Sequence, residues 1–471
     1  MKSLLCAALL ALATATNASA VESTLEMARF GTVHLYQPTP HPSRVILFVS
    51  GDGGWNLGVV DMARMLASRD ALVVGINVRT YLRTLAAEKG ACAYPAADFE
   101  QLSQSVQQQL GLPAYTPPLL AGYSSGATLV YAILAESPAN TFRGAVALGF
   151  CPDLDLTKPL CKGNGLEFDL PFARKPNTYV FRPAQHLEGR FVALQGTTDK
   201  VCDPPSTERY VHQVPGAEVV MLPKVGHGFA VPSRWAQDFQ RQVDAIFAQR
   251  VVATAAAAAP RTPEGVEDLP LVELPAQGSK QPELVVLLSG DGGWAGIDRD
   301  VGGALAAAGL PVVGWNSLQY YWHAKTPERA AADLGRILRH YLYAWHEERA
   351  VLIGYSFGAD VLPFLVSRLP ADLRGKVALV TLLGPSHGAS FEFHVAEWLG
   401  AAAAGELPVL PELAQLRGTR VLCLYGEKED DTLCRGLDPQ LAHSIGSPGA
   451  HHFGGDYKGL AATVLREAAA P

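Results

Sequence analysis

The chain has 471 residues, too many for one compact core and enough for two to four domains at the usual ~100–200 residues each. Hydrophobic residues make up 48% and charged residues 18%, ample apolar side chain to offset chain entropy, which excludes a disordered or fibrous protein. Thirty-eight Lys and Arg against 45 Asp and Glu give a net charge of −7, and no Lys/Arg run is present, so nucleic acid is not an expected partner.

Lys2, the short apolar stretch from Leu4 to Ala15 and the Ala18-Ser19-Ala20 triplet predict a signal peptide over residues 1–20 and a periplasmic location. No later stretch reaches about 18 uncharged apolar residues, so no transmembrane segment is expected. Beyond Cys6 there remain six cysteines, an even number that points to disulfides in an exported chain. Cys92, Cys151, Cys161 and Cys202 allow three connectivities in the first half, and Cys423 with Cys434 is the pairing available in the second. Their spacings do not resemble a zinc site, and neither metal nor organic cofactor is expected.

The chain repeats itself. Val-Ile-Leu-Phe-Val-Ser-Gly-Asp-Gly-Gly-Trp at 45–55 returns as Leu-Val-Val-Leu-Leu-Ser-Gly-Asp-Gly-Gly-Trp at 284–294. The Gly-Tyr-Ser segment at 119–127 returns at 351–359, 196–202 is echoed by 426–434, and 226–229 by 450–453. Four motifs in one order predict two related domains, 21–250 and 266–471, joined by an Ala/Pro-rich linker at 251–265. Within each, apolar runs such as Val285 to Leu288 and Val377 to Leu383 alternate with helical patterns such as Ala330 to Tyr343. That alternation predicts a mostly parallel, doubly wound α/β sheet buried on both faces.

Gly354-Tyr355-Ser356-Phe357-Gly358 follows an apolar strand and opens a helix-compatible segment, the context of a nucleophile elbow. Ser356 is then the nucleophile, and the Phe357 N–H faces the oxyanion. A serine needs a histidine base and an orienting carboxylate, in the chain order Ser, acid, His. In the first repeat Ser124, Asp199 and His227 keep that order and form a second candidate triad. The second repeat offers Glu429, Asp430 and Asp431. Ser124 to Asp199 and Ser356 to Asp431 both span 75 residues, and each Asp precedes a Cys by three, which selects Asp431 and keeps Glu429 in reserve. Matching Phe229 to Phe453 pairs His227 with His451, with His452 as the alternate.

The other half of an oxyanion hole is expected from the Gly-Asp-Gly-Gly-Trp loop, through an N–H of Asp291 or Gly292. A carboxylate at Asp291 beside an oxyanion calls for a cation. Asp291, with Asp360 one turn after Ser356, is therefore expected to receive a positively charged substrate group, unless both serve as helix-start acids. Thr128 stands at the matching position of the first repeat. Trp315, Tyr320, Tyr321 and Trp322 are candidates for an acyl-pocket wall or for core packing.

At Ser-Gly-Asp-Gly-Gly-Trp (289–294), Gly-Tyr-Ser-Phe-Gly-Ala-Asp (354–360), the acid loop (426–434) and His451-His452-Phe453, the sequence resembles the bacterial virulence family VirJ/AcvB. The resemblance implies two tandem related α/β-hydrolase domains in the periplasm that cleave aminoacyl-phosphatidylglycerol, lysyl or alanyl, at the membrane surface. The products would be free amino acid and phosphatidylglycerol, formed through an aminoacyl-enzyme on Ser356. Rival readings are a general periplasmic esterase or lipase, and a non-catalytic scaffold associated with secretion.

Overall fold

A computed structural model describes residues 20–87, 92–249, 265–294, 296–393 and 406–469. Except for Ala20 and Gly265, the expected signal peptide and linker lie outside the described residues.

The first half builds one sheet from β1 (Val21–Met27), β2 (Gly31–Gln37), β3 (Arg44–Val49), β4 (Ala71–Ile76), β5 (Leu119–Tyr123), β6 (Gly144–Leu148), β7 (Arg190–Gly196) and β8 (Glu218–Leu222). Their order is β1-β2-β4-β3-β5-β6-β7-β8. Only the pairs made by β2 are antiparallel.

The second half repeats the plan with β9 (Leu271–Leu274), β10 (Glu283–Leu288), β11 (Val312–Trp315), β12 (Arg349–Tyr355), β13 (Val377–Leu383), β14 (Val421–Gly426) and β15 (His443–Ser447). The order is β9-β11-β10-β12-β13-β14-β15, with β9 alone antiparallel. These are two tandem α/β-hydrolase sheets, as the repeat and the alternation of strand and helix patterns predict.

The apolar runs are continuous because helices cover both faces. Along β10, Val286 and Leu288 face a core that includes Leu334, Ile337, Leu338 and Tyr341 of the helix Pro327–Ala344. Val285 and Leu287 face the opposite core with Val301, Leu305, Leu460 and Val464. The two-residue period of a strand thus feeds two cores at once. The helix over 330–343 forms where its apolar spacing predicts, entered by Pro327 and capped by Thr326, whose Oγ1 accepts from Arg329 N at 3.1 Å.

Three disulfides are formed, Cys92–Cys161, Cys151–Cys202 and Cys423–Cys434. The last is the pairing expected in the second half, and the first two select one of three connectivities.

The two halves meet through a seam of aromatic rings. Trp322 Nε1 donates to Leu112 O at 2.8 Å, and its ring lies 5.7 Å from Tyr115 and 5.9 Å from Phe393. His323 Nε2 reaches Pro113 O at 3.0 Å. Trp315, Tyr320 and Tyr321 are buried in the second core, so this aromatic group packs the core and the seam.

The helix Pro95–Gln109 of the first half is buried nearly all round. Phe99, Leu102 and Val106 enter its own core, while the face carrying Ala97, Glu100, Gln101, Gln104 and Gln108 turns to the second half. That polar stripe has the i, i+3, i+4, i+7 spacing of one helix face.

Candidate active site

Ser356 sits at the turn between β12 and the helix Phe357–Ser367 with φ 51° and ψ −121°. Ser124 holds the same strained backbone, φ 55° and ψ −124°, before the helix Ser125–Glu136. The flanking glycines are required by packing. A Cβ on Gly354 would stand 2.3 Å from Gly358 O, and one on Gly358 would stand 2.4 Å from Leu288 O. No side chain fits either place, so the strand can turn straight into the helix and lift the serine hydroxyl out of the sheet.

His451 Nε2 lies 2.9 Å from Ser356 Oγ, and His451 Nδ1 lies 2.5 Å from Glu429 Oε1. In the first half His227 Nε2 lies 2.9 Å from Ser124 Oγ, and His227 Nδ1 lies 2.8 Å from Asp199 Oδ2. Both chains of hydrogen bonds have the serine–histidine–carboxylate form. His452 takes another part. Its Nδ1 lies 3.0 Å from the Tyr355 hydroxyl, beside the Ser356–His451–Glu429 chain rather than within it.

The acid expected at Asp431 is corrected to Glu429. The Asp431 side chain is 82% exposed and approaches only His387, at 3.4 Å. The physical reason is the turn that ends the acid strand. Asp199 N donates to Gly196 O and Glu429 N donates to Gly426 O, so in both halves the acid is the third residue after the terminal glycine. The second half has two extra residues between the acid and its cysteine. Equal spacing to the cysteine therefore points past the turn that sets the carboxylate. Glu429 Oε2 also accepts from Gly426 N at 3.2 Å, and Asp199 Oδ1 accepts from the N–H groups of Val201 and Cys202.

Asp360 is likewise corrected as a substrate-binding residue. Its Oδ1 accepts from Ser386 N at 2.6 Å, and it does not line the cleft. Thr128, at the matching position, donates through Oγ1 to Cys151 O at 2.7 Å. Cys151 and Ser386 both lie three residues past the end of their strands, β6 and β13. The same tether is made twice with its polarity reversed, and it is structural.

Gly293 N donates to Gly290 O at 3.1 Å, closing a turn that uses neither the Asp291 nor the Gly292 N–H. This loop runs against the elbow, since a Cβ on Gly290 would stand 3.5 Å from Ser356 Cβ. Trp294 anchors it by lying over Gly314, where a Cβ would come within 2.4 Å of the indole. Asp291 and Gly292 thus flank the serine opposite Phe357, whose N–H belongs to the unpaired first turn of the elbow helix.

Ser356, Asp291, Gly292, His451, His452 and Tyr457 open on a cleft of about 450 Å³ whose far wall is the helix Pro95–Gln109, with Tyr94 preceding it. Glu100 projects into this cleft, where burial and then the Asp291 carboxylate push its pKa up to about 8. Burial and then the carboxylates of Asp298 and Asp291 raise the Tyr355 hydroxyl, which lies 3.0 Å from His452 Nδ1.

Motif reading misses Glu100 because it comes from the other half of the chain. It also misses Gly384, with φ 59°, where a Cβ would stand 2.9 Å from His451 Cε1. Gly149, φ 64°, takes the same place beneath His227. The repeat itself carries that signal, since each glycine stands one residue past the end of its strand, β6 and β13.

Among the described residues no helix is long and apolar enough to cross a membrane. No curated protein matches the chain in sequence. Among solved structures, the chain is similar to a protein named as a candidate dienelactone hydrolase from Klebsiella pneumoniae subsp. pneumoniae MGH 78578, at 17% identity and TM-score 0.35, covering 49% of this chain and 98% of that one. It is also similar to TT1662 from Thermus thermophilus, at 16% identity and TM-score 0.35, covering 49% and 100%. A thermophilic esterase from Thermogutta terrifontis matches at 14% identity and TM-score 0.33, covering 49% and 91%. A family model described as bacterial virulence protein (VirJ) matches residues 43–149 and 282–470, well over half of the chain. With both elbows and both oxyanion loops inside the matched segments, the chain belongs to the bacterial virulence protein VirJ family.

Proposed function

We propose that the protein is a periplasmic serine hydrolase whose second half cleaves the aminoacyl ester of aminoacyl-phosphatidylglycerol. The observation that carries this is the Ser356–His451–Glu429 chain opening on a cleft that also holds the Asp291 carboxylate. Three disulfides suit an oxidising compartment. An aminoacyl ester carries its α-ammonium beside the reacting carbonyl, and Asp291 offers the matching charge.

Ser356 Oγ attacks the carbonyl carbon while its proton passes to His451 Nε2. The N–H groups of Phe357 and of Asp291 or Gly292 receive the oxyanion. The ester C–O bond then breaks, and the departing glycerol oxygen of the lipid takes the proton from His451, leaving an aminoacyl-Ser356. Water, deprotonated by His451, attacks that ester and frees the amino acid. Glu429, hydrogen-bonded to His451 Nδ1, orients the ring and holds the imidazolium.

Release of amino acid from vesicles containing lysyl- or alanyl-phosphatidylglycerol tests this reading. Release by the mature protein that is lost in Ser356→Ala, and lost on N-acetylation of the lipid's amine, is the expected result. Turnover indifferent to N-acetylation would indicate a general esterase. A Ser356→Ala variant that keeps the protein's cellular role would favour the scaffold.

A second reading concerns the first half, whose Ser124–His227–Asp199 chain is equally assembled. Exposed apolar side chains stand on each loop that serves it: Leu57 after the oxyanion loop, Val201 after the acid, and Val231 after the histidine. We propose that this half hydrolyses an uncharged, apolar ester.

A further inference from the structure

The proposed function gives the first half no part in the second half's chemistry, yet the cleft in front of Ser356 has a wall from each. The helix Pro95–Gln109 is held over that cleft from three sides. Glu136 Oε1 accepts from Ala96 N at 2.7 Å at its start, Gln108 Nε2 donates to Phe393 O at its end, and its inner face is packed by Phe99, Leu102 and Val106. Residues 97, 100, 101 and 104 are thereby fixed as the outer face, and among them only Glu100 is charged.

Glu100 has an unusual setting. Its carboxylate makes no hydrogen bond or ion pair among the described residues, and the charge that acts on it is another carboxylate, Asp291. The remaining titratable groups lining the cleft are Asp298, His451, His452, Tyr94, Tyr355 and Tyr457, so among the described residues no Lys or Arg lines it. With an apolar substrate Glu100 stays protonated and without a partner in the cleft. A substrate with two ammonium groups would let it ionise, one group meeting Asp291 beside the carbonyl and the other meeting the Glu100 carboxylate across the cleft.

We infer that Glu100, delivered by the first half, is a specificity-determining residue of the second half's site, and that with Asp291 it selects an aminoacyl group carrying a second cation on its side chain. This rests on the aminoacyl-ester reading for its natural substrate. As a binding statement about diammonium groups it can be tested apart from that reading. The halves are then one functional unit, because neither wall of the cleft alone presents both carboxylates.

The test uses the full chain and Glu100→Gln, which keeps the side-chain volume, with Glu100→Asp as the conservative rescue. On lipid vesicles the ratio of kcat/KM for lysyl to alanyl ester is measured. Glu100→Gln is expected to lower that ratio at least about fivefold, mainly through KM, and Glu100→Asp to recover part of it. In parallel, 4-nitrophenyl acetate hydrolysis by chains that carry Ser124→Ala, which leaves only the Ser356 site, is inhibited with lysinamide and with alaninamide. The wild-type preference for the diammonium inhibitor should shrink by a similar factor in Glu100→Gln. A lysyl-to-alanyl ratio and an inhibitor preference that both survive Glu100→Gln overturn the inference. If wild type releases no amino acid from either lipid but binds lysinamide through Glu100, the lipid substrate fails and the cationic subsite stands. A Glu100→Gln chain that does not fold is recognised by its circular dichroism, and Glu100→Asp then carries the same comparison.

Discussion

Glu429 Oε1 lies 2.5 Å from His451 Nδ1, whereas Asp431, two residues further along the same loop, leaves its carboxylate in solvent. The acid is chosen by the turn closed from Glu429 N to Gly426 O, and the difference is open to a direct comparison. Glu429→Gln should lower kcat by roughly 10²–10⁴-fold, as loss of the orienting carboxylate does in such triads. Asp431→Asn should stay within about twofold. Steady-state turnover of 4-nitrophenyl acetate by both variants, each made in a Ser124→Ala background so that the first half does not contribute, decides it, and the reverse pattern would restore Asp431.

Gly384 lies under the His451 ring. A Cβ there would come within 2.9 Å of Cε1 at a backbone φ of 59°, so Gly384→Ala must either move the imidazole or strain the loop. A displaced base of about 1 Å costs on the order of 10²-fold in rate. The expected outcome is a folded protein with that loss in kcat. Unchanged turnover would mean that the ring has room to shift.

The two elbows make separate predictions about labelling. A fluorophosphonate reacts with a serine activated by a neighbouring base. The wild-type chain should take up two labels, Ser356→Ala and Ser124→Ala one each, and the double variant none. Intact-mass spectrometry counts them. A wild type labelled once, with Ser356→Ala unlabelled, would leave the first half as a support.

The raised pKa of Glu100 has a consequence for stability. A carboxyl held at about 8 in the fold and at its ordinary value of 4.5 when unfolded is protonated in the fold but ionised in the unfolded chain between those values. The folded state then binds more protons, so stability falls as pH rises through that window. Removing the carboxylate should raise Tm at pH 8, by roughly 2–6 °C, and by much less at pH 5. Calorimetry of Glu100→Gln at both pH values tests the sign, and equal shifts at the two would count against it.

Glu429 lies within the segment closed by Cys423–Cys434, a separation of 11 residues. Replacing both cysteines by Ala should cost about 2–3 kcal/mol by the usual loop-closure estimate. It should also lower kcat, because the acid loop loses one of its anchors. Denaturant unfolding and turnover of the double variant measure the two effects separately.

The parts of the site that lie in contiguous segments were legible in the residues. The elbows at Ser124 and Ser356 are recognisable because close packing forbids any Cβ at their glycines, which leaves a pattern in sequence. The oxyanion loops are recognisable because Trp55 and Trp294 must lie over Gly75 and Gly314. His451 was legible through its phenylalanine neighbour, and Cys423–Cys434 through simple pairing. The fold class followed from strand runs apolar on both faces.

What the residues alone left open are relations between segments far apart in the chain. Counting placed the acid at Asp431, because a disulfide absorbs two extra residues that the turn at Gly426 does not. Asp360 read as a charge available to substrate until the Ser386 N–H, 26 residues on, proved to hold it. Glu100 belongs to no motif, and it is part of a cleft only because the seam at Trp322, Tyr115 and Phe393 brings the halves together. Sequence by itself determined the two α/β sheets, the two elbow turns and the histidines that meet their serines, since local sterics and hydrophobic periodicity act over a few residues. Tertiary structure decided which carboxylate meets His451, what Asp360 bonds and the second wall of the cleft, since loop slack and domain packing depend on contacts that no local pattern records.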